Sequence, residues 1–60
     1  MKKFKDLRSE YKEAIIKVYD DGKIVAWNPA SDEFLDKFDN REIEPVITIE
    51  PDTIIVNLTN

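Results

Sequence analysis

The sequence lacks the residues that most often carry catalytic chemistry and metals, since its 60 residues include no cysteine and no histidine. The absence of cysteine excludes disulfides and thiolate metal sites. The absence of histidine removes the commonest zinc ligand and the usual general base, so Ser9 and Ser31 have no imidazole to activate them. The acidic turn at residues 20–22 is too short for a calcium loop. We therefore predict a protein that is not an enzyme and that holds no cofactor and no metal.

Glycine and long apolar runs are also scarce. The chain has one glycine and is 42% hydrophobic, with many isoleucines and valines, which is typical of a folded chain rather than a disordered one. No apolar run reaches the length of a membrane span, and no apolar segment of a secretory signal follows the basic start. We expect residues 1–60 to form one small cytoplasmic domain.

The shortness of the chain favours self-association. In a domain of this size, the free energy of apolar burial and the opposing conformational entropy nearly cancel. Small domains usually gain the missing stability from disulfides, metals or oligomerisation, and the first two are excluded or not indicated here. We therefore expect a homodimer or a larger assembly.

Charge is distributed unevenly along the chain, whose net charge is −4. Residues 1–13 hold five basic and three acidic side chains, whereas residues 14–60 hold four basic and ten acidic ones. A basic N-terminal segment followed by an acidic remainder favours docking of residues 1–13 on the rest of the chain, or contact of these residues with a phosphate. The negative net charge and the lack of a recognition-helix signature argue against direct nucleic-acid binding. The basic N-terminal segment is too short to favour binding to a membrane surface.

A hairpin that is apolar on both faces is the most informative segment. Residues 14–19 and 23–27 flank Asp20-Asp21-Gly22, which predicts a type I turn with Gly22 in a bulge, and places Val18 opposite Ile24. The two predicted faces carry Ile16, Val18, Ile24 and Ala26 on one side and Ile15, Tyr19, Val25 and Trp27 on the other. Because a hairpin with one wet face should alternate apolar and polar residues, something is expected to cover the second face.

Helical patterns occur on both sides of this hairpin. Phe4, Leu7, Tyr11 and Ala14 follow the helical period and predict a short N-terminal helix. Asn28-Pro29 predicts the start of a second helix over residues 29–39, with Asn28 as its cap and Ser31 as the alternative cap. Its apolar side holds Phe34, Leu35 and Phe38.

Residues 46–50 and 54–58 predict a second hairpin around Pro51-Asp52, with Ile49 opposite Ile54. The element order is then α-β-β-α-β-β. The predicted fold class is α+β: a four-stranded antiparallel sheet from two β-hairpins, with one helix packed across a face and a short N-terminal helix. The predicted core comprises Ile16, Val18, Ile24, Ala26, Phe34, Leu35, Phe38, Ile47, Ile49, Ile54, Val56 and Leu58. The far face of the sheet carries Ile15, Tyr19, Val25, Trp27, Val46 and Ile55.

Two occupants of this far face are predicted as alternatives. The N-terminal helix can cover it, with Phe4, Leu7 and Tyr11 against the hairpin. Alternatively, a second copy of the chain can cover it by face-to-face packing or by edge pairing into a longer sheet. The residues expected in an oligomer interface are Ile15, Val25, Trp27 and Ile55.

The aromatic side chains of this region also suggest a ligand site. Aromatic rings with polar tips can stack on bases, and a neighbouring cation and amide would suit a nucleotide or another small ligand. The candidate residues for a ligand or partner are Trp27, Tyr19, Asn28, Lys17 and Tyr11. A lone tryptophan in a small domain is more often part of the core, and that interpretation stays open.

A band of acidic residues supports a second kind of function. Asp32, Glu33, Asp36 and Asp39 fill one side of the predicted second helix. Such carboxylates can imitate nucleic-acid phosphates and occupy a basic partner protein, although a solvated helix face is the simpler explanation and the net charge of −4 is modest for a mimic.

The predicted function is therefore a small, non-catalytic binding protein that forms homo-oligomers. The first hypothesis is an inhibitor or sequestering protein, of the kind that phage and mobile elements encode, which binds a small molecule such as a nucleotide or a host protein. The alternative is an acidic inhibitor or nucleic-acid mimic that contacts a basic partner protein.

Overall fold

A computed structural model describes residues 2–44, 47–50 and 52–59 of the chain, with residues 47–50 as backbone only. Six elements follow one another along the sequence. They are helix α1 (Phe4–Glu10), strands β1 (Ile15–Asp20) and β2 (Lys23–Pro29), a 3₁₀ helix (Glu33–Phe38), and strands β3 (Ile47–Glu50) and β4 (Thr53–Leu58).

The sheet is mixed, so the predicted antiparallel sheet is wrong. Its strand order is β2-β1-β4-β3, in which each hairpin is antiparallel but β1 and β4 run parallel. Strands β2, β1 and β4 form the mixed part, and β3 extends it along β4. The parallel pair aligns Ile16 with Ile54 and Val18 with Val56. The two strands richest in branched apolar residues thereby take the centre of the sheet, as is typical of parallel pairs.

The predicted helix over residues 29–39 is also wrong, because strand β2 continues to Pro29 and the helical segment is a short 3₁₀ helix. Neither Asn28 nor Ser31 caps it. Its cap is Asp32, whose carboxylate accepts a hydrogen bond from the Phe34 backbone N–H at 2.9 Å. The later start leaves six residues, which is too short for a stable α-helix, and 3₁₀ geometry is used for such short pieces.

The turn of the first hairpin differs from the predicted type I turn. Asp21 and Gly22 both have positive φ, at 54° and 77°. A two-residue loop with positive φ at both positions is the type I′ turn that Asp-Gly favours. The register shifts between Val18 and Tyr19, so that Val18 lies opposite Ala26 and Tyr19 opposite Ile24. The two-residue turn sets Ile24 opposite Tyr19 and thereby turns it out of the core, where it had been predicted, and the irregularity returns Ala26 to the core side.

Helix α1 lies on the same side of the sheet as the 3₁₀ helix, so it does not cover the far face. Phe4 and Leu7 are fully buried, and the Phe4 ring meets the Phe38 ring edge-on at 5.8 Å between centroids. The chain before α1 is held by a bridge between Lys3 and Glu42. The prediction that α1 covers the far face is therefore wrong.

The core is a single cluster between this helical layer and the sheet. It consists of Phe4, Leu7, Ile16, Val18, Ala26, Ala30, Leu35, Phe38, Ile43, Ile54, Val56 and Leu58. Two predicted members, Ile24 and Phe34, are exposed instead, and Ile47 and Ile49 lie outside the described side chains. Val46 and Pro51 lie outside the described residues altogether.

Within the described residues, no helix combines the length and the apolar character that crossing a bilayer would require.

Candidate functional site

One face of the sheet has no layer packed against it in the described part of the chain. We call it the open face. It is formed by Ile15, Lys17, Tyr19, Ile24, Val25, Trp27 and Ile55. Trp27 is 61% exposed, Ile24 49%, Val25 41% and Ile15 38%, which are high values for large apolar side chains in strands.

The alternation of the strands explains why these side chains share a face. Ile16, Val18, Ile54 and Val56 point into the core, so their neighbours in β1 and β4 point away from it. The cross-strand pairs Lys17–Trp27 and Tyr19–Ile24 carry the face onto β2. Pairing of Lys17 with Ile55 carries it onto β4.

Lys17 lies at the middle of the open face. Its strand is central, with Trp27 beside it on β2 and Ile55 beside it on β4. The Lys17 ammonium sits over the Trp27 ring, 4.2 Å from the ring centroid, in a cation–π contact. None of the described side chains on this face is acidic, although the chain carries 13 acidic residues.

The predicted ligand residues are only partly brought together. Trp27, Lys17 and Tyr19 share the open face. Asn28 instead belongs to a local network, since its Oδ1 accepts from the Trp27 N–H at 3.0 Å and its Nδ2 donates to Asp32 at 3.1 Å. Tyr11 lines a separate cavity of about 450 Å³ with residues 9–14 and Asp52.

The outer edge of β2 is partly closed to further strands. The Trp27 N–H donates a hydrogen bond to the Asn28 side chain. Pro29, two residues further along the strand, has no N–H. Since a strand that adds to an edge needs free backbone donors, these two positions obstruct pairing along the second half of β2.

The predicted acidic band is tied into the fold by Arg8. The guanidinium donates to Asp36 at 2.7 Å, to Asp39 at 2.9 Å, and to the backbone oxygens of Ala30 and Asp32. The Arg8 side chain is 14% exposed. Burial opposes its charged form, but the hydrogen bonds to the two carboxylates outweigh that effect and raise the pKa of Arg8.

Asp32 has a different structural role. The hydrogen bond from the Phe34 N–H, followed by that from Asn28, lowers the pKa of the Asp32 carboxyl. Glu33 is exposed on the first turn of the 3₁₀ helix. Three of the four acidic residues therefore serve the junction of α1, β2 and the 3₁₀ helix, and only Glu33 faces solvent without such a contact.

A second exposed aromatic residue lies outside the open face. Phe34 is 46% exposed on the 3₁₀ helix, and the Lys37 ammonium lies 3.9 Å from its ring centroid. Phe34 therefore resembles Trp27 in exposure and in its cation–π contact, but it belongs to the helical layer.

Two features of this site were missed from the sequence. Ile24 joins the open face because of the type I′ turn, and the Asp-Gly dipeptide is a known signal for that turn. Arg8 was counted only as part of the basic N-terminal segment, although a single arginine opposite several aspartates can form such a multiple contact. Among the described residues, no group of three acidic side chains is arranged to hold a metal ion.

Comparisons with known protein families, with curated proteins and with solved structures each find no match to this chain.

Proposed function

We propose that this protein is a non-catalytic binding protein that acts as a homodimer, and that a second copy covers the open face. The observation that carries the proposal is the exposure of Ile15, Ile24, Val25 and Trp27 on one side of the sheet, while both helical segments lie on the other. An apolar sheet face is stable in water when a further layer packs on it.

The size of the patch is compatible with this interpretation. With whole side chains exposing about 150–250 Å² each, these four residues leave on the order of 350 Å² of apolar surface in contact with water. The largest apolar patch of a typical monomer is about 300–600 Å² and is often functional. In a standard interface of about 800 Å² per partner, such a patch would form the apolar centre.

Face-to-face packing is favoured over pairing along the β2 edge. On the β2 edge, the Asn28 side chain occupies the Trp27 N–H, and Pro29 lacks a donor. The open face has no such obstruction, and two sheets that pack by their faces keep an aligned arrangement at about 10 Å.

A sequestering or inhibitory role is a finer proposal within this class. The contact between Lys17 and Trp27 supports a ligand that combines an aromatic ring with negative charge, such as a nucleotide. The open face of one copy is flat, however, and small ligands need a concave site, so the pocket would form between two copies. The acidic-mimic alternative has less support, because Asp36 and Asp39 are already paired with Arg8.

The homodimer can be tested by light scattering after size exclusion over a range of protein concentrations. The wild-type protein is expected above 7.0 kDa, and Trp27→Glu is expected at the monomer mass because it removes the largest and most exposed apolar side chain of the open face. The matched control is Phe34→Glu, which makes the same change at a similarly exposed aromatic residue of the helical layer and should leave the mass unchanged.

The single tryptophan provides a second measurement, since its fluorescence reports directly on the open face. Dilution of the dimer should shift the Trp27 emission to longer wavelength as the ring meets water. A folded wild-type protein that stays at monomer mass up to millimolar concentration would contradict the proposal.

A further inference from the structure

A cleft beside α1 lies apart from the open face. It has a volume of about 280 Å³ and lies between α1 and the segments that follow β2 and the 3₁₀ helix. Its lining residues all belong to the described part of the chain: Lys5, Arg8, Ser9, Lys12, Ala30 and Asp39. None of them belongs to the open face, so a ligand in this cleft would leave that face available.

The helical period explains why three of these residues come together. Lys5 and Ser9 are four positions apart, and Lys12 follows three positions later, just after α1 ends, so the three side chains lie along one exposed stripe. Phe4 and Leu7 point into the core from another side of the helix. The burial of α1 in the core thus turns two ammonium groups and one hydroxyl towards the cleft.

The two lysines differ from Arg8 in how their charge is used. Arg8 donates to Asp36, to Asp39 and to two backbone oxygens, which accounts for four of the five N–H groups of a guanidinium. It thereby pairs the only carboxylate among the lining residues, that of Asp39. Within the described residues, the ammonium groups of Lys5 and Lys12 make no ion pair and no hydrogen bond. The charge that remains in the cleft is therefore positive.

Several other basic side chains of this acidic chain do have partners. The Lys2 ammonium pairs with Glu10, and those of Lys17 and Lys37 lie over aromatic rings. The cleft differs, because two ammonium groups line it without a described partner. An anion with several acceptor oxygens is the ligand that such a pair of cations attracts.

We propose that this cleft binds an oxyanion of the phosphate class, held by the ammonium groups of Lys5 and Lys12 and by the Ser9 hydroxyl. Phosphate oxygens accept hydrogen bonds from both kinds of donor, and the bonds from the ammonium groups are the stronger ones. Arg8 acts indirectly, because it fixes α1 and neutralises the carboxylate that would repel the anion. The site does not depend on the proposed dimer, so Trp27→Glu should bind phosphate as the wild type does.

The same chemistry can come from free phosphate or from the phosphates of a nucleotide. No aromatic side chain lines the cleft, so a base has no ring here on which to stack. Adenosine triphosphate and inorganic tripolyphosphate should therefore bind with similar dissociation constants. Binding of adenosine triphosphate that is more than tenfold tighter would contradict recognition through the phosphates.

A nuclear magnetic resonance titration tests the site on the whole chain. Inorganic phosphate replaces chloride at constant pH and ionic strength, and the backbone amide shifts are followed residue by residue. The shifts are expected to saturate and to centre on Lys5, Ser9 and Lys12. Shifts that rise linearly with phosphate without saturating, or that centre on another part of the chain, would overturn the site.

Charge-removing variants then identify the ligands of the anion. Lys5→Gln and Lys12→Gln should each weaken phosphate binding about two- to fivefold, the range of an exposed charge pair, and the double variant should show no saturation. Both lysines are exposed, so the variants should keep the fold, which the amide spectrum itself reports.

Lys23→Gln is the matched control, because Lys23 is an exposed lysine of the first hairpin and also lacks an ion pair among the described residues. It removes the same charge and should leave phosphate binding unchanged. If Lys23→Gln weakened binding as much as Lys5→Gln and Lys12→Gln, the effect would belong to the net charge of the chain, and the proposed site would be wrong.

Discussion

The two faces of one sheet differ more than their sequences suggest. Along β1, Ile15 and Ile16 are neighbours of the same type, yet Ile16 is fully buried and Ile15 is exposed. The core face receives α1 and the 3₁₀ helix, whereas the described chain leaves the open face without a layer. The comparison shows that residue type decides which strands form, but the path of the connections decides which face is covered.

Arg8 provides the reason why both helical segments share one face. It binds backbone oxygens after β2 and carboxylates of the 3₁₀ helix, so it fixes α1 to that layer. Phe4 and Leu7 then fill the space beside Phe38. With α1 held there, the chain has no remaining helix in its described part for the open face.

If the two faces differ in this way, the largest loss in the free energy of unfolding is expected for a truncation on the core face. Phe4→Ala should lower the free energy of unfolding by about 3–5 kcal/mol, because it removes a fully buried ring and leaves a cavity. Trp27→Ala, a larger truncation on the open face, should cost about 1 kcal/mol or less in the monomer. Urea denaturation at a concentration where the protein is monomeric measures both, and equal losses would remove the distinction between the faces.

An intermediate effect is expected at Arg8. Arg8→Lys keeps the charge but cannot reach two backbone oxygens and two carboxylates at once, so it should lower the free energy of unfolding by about 2–4 kcal/mol. Lys5→Arg, an exposed change on the same helix, is the control and should be nearly neutral. If Arg8→Lys were also neutral, the attachment of α1 to the 3₁₀ helix would have to come from the burial of Phe4 and Leu7 and from the backbone hydrogen bond that the Lys5 N–H donates to Asp39.

The smallest effect concerns pH and the cap of the 3₁₀ helix. The pKa of Asp32 is lowered in the folded chain, so its ionised form stabilises the fold above the ordinary pKa of aspartate. This contribution is lost as the pH falls through the folded pKa. In Asp32→Asn, the loss of stability between neutral and acidic pH should be smaller than in the wild type, as measured by urea denaturation at several pH values.

Glu33→Gln tests the same segment without the cap, because Glu33 is exposed on the first turn. It should leave the acid sensitivity as it is in the wild type. An identical reduction in Glu33→Gln and Asp32→Asn would assign the pH dependence to general charge rather than to the cap.

The first hairpin and the strand β4 could be predicted from the sequence, because their signals are local. Ile54, Val56 and Leu58 alternate with polar or outward residues and are buried as expected. The predicted register of the hairpin was wrong because the wrong turn type was predicted. A type I turn with a bulge and a type I′ turn place Ile24 on opposite faces of the sheet.

The mixed sheet could not be predicted in the same way. Whether β1 meets β4 or β2 meets β3 depends on contacts between distant segments, and both choices satisfy the same local patterns. The 3₁₀ helix was missed because Asn28 and Asp32 are both acceptable caps, and only the extension of β2 to Pro29 decides between them. The open face was recognised as a problem from composition, but its lack of cover became clear only from the position of α1.

The parallel pairing of β1 with β4 has a consequence for how the chain holds together. Ile15 pairs with Thr53, so the ladder closes a segment of 37 residues between them. Closing such a segment costs about 3 kcal/mol beyond a constant, which a single hairpin does not have to overcome. Two-stranded hairpins are marginal in water, so neither half of this sheet is stable until the ladder joins them. We therefore expect unfolding to be all-or-none, with both hairpins lost together when the pairing of β1 with β4 is broken.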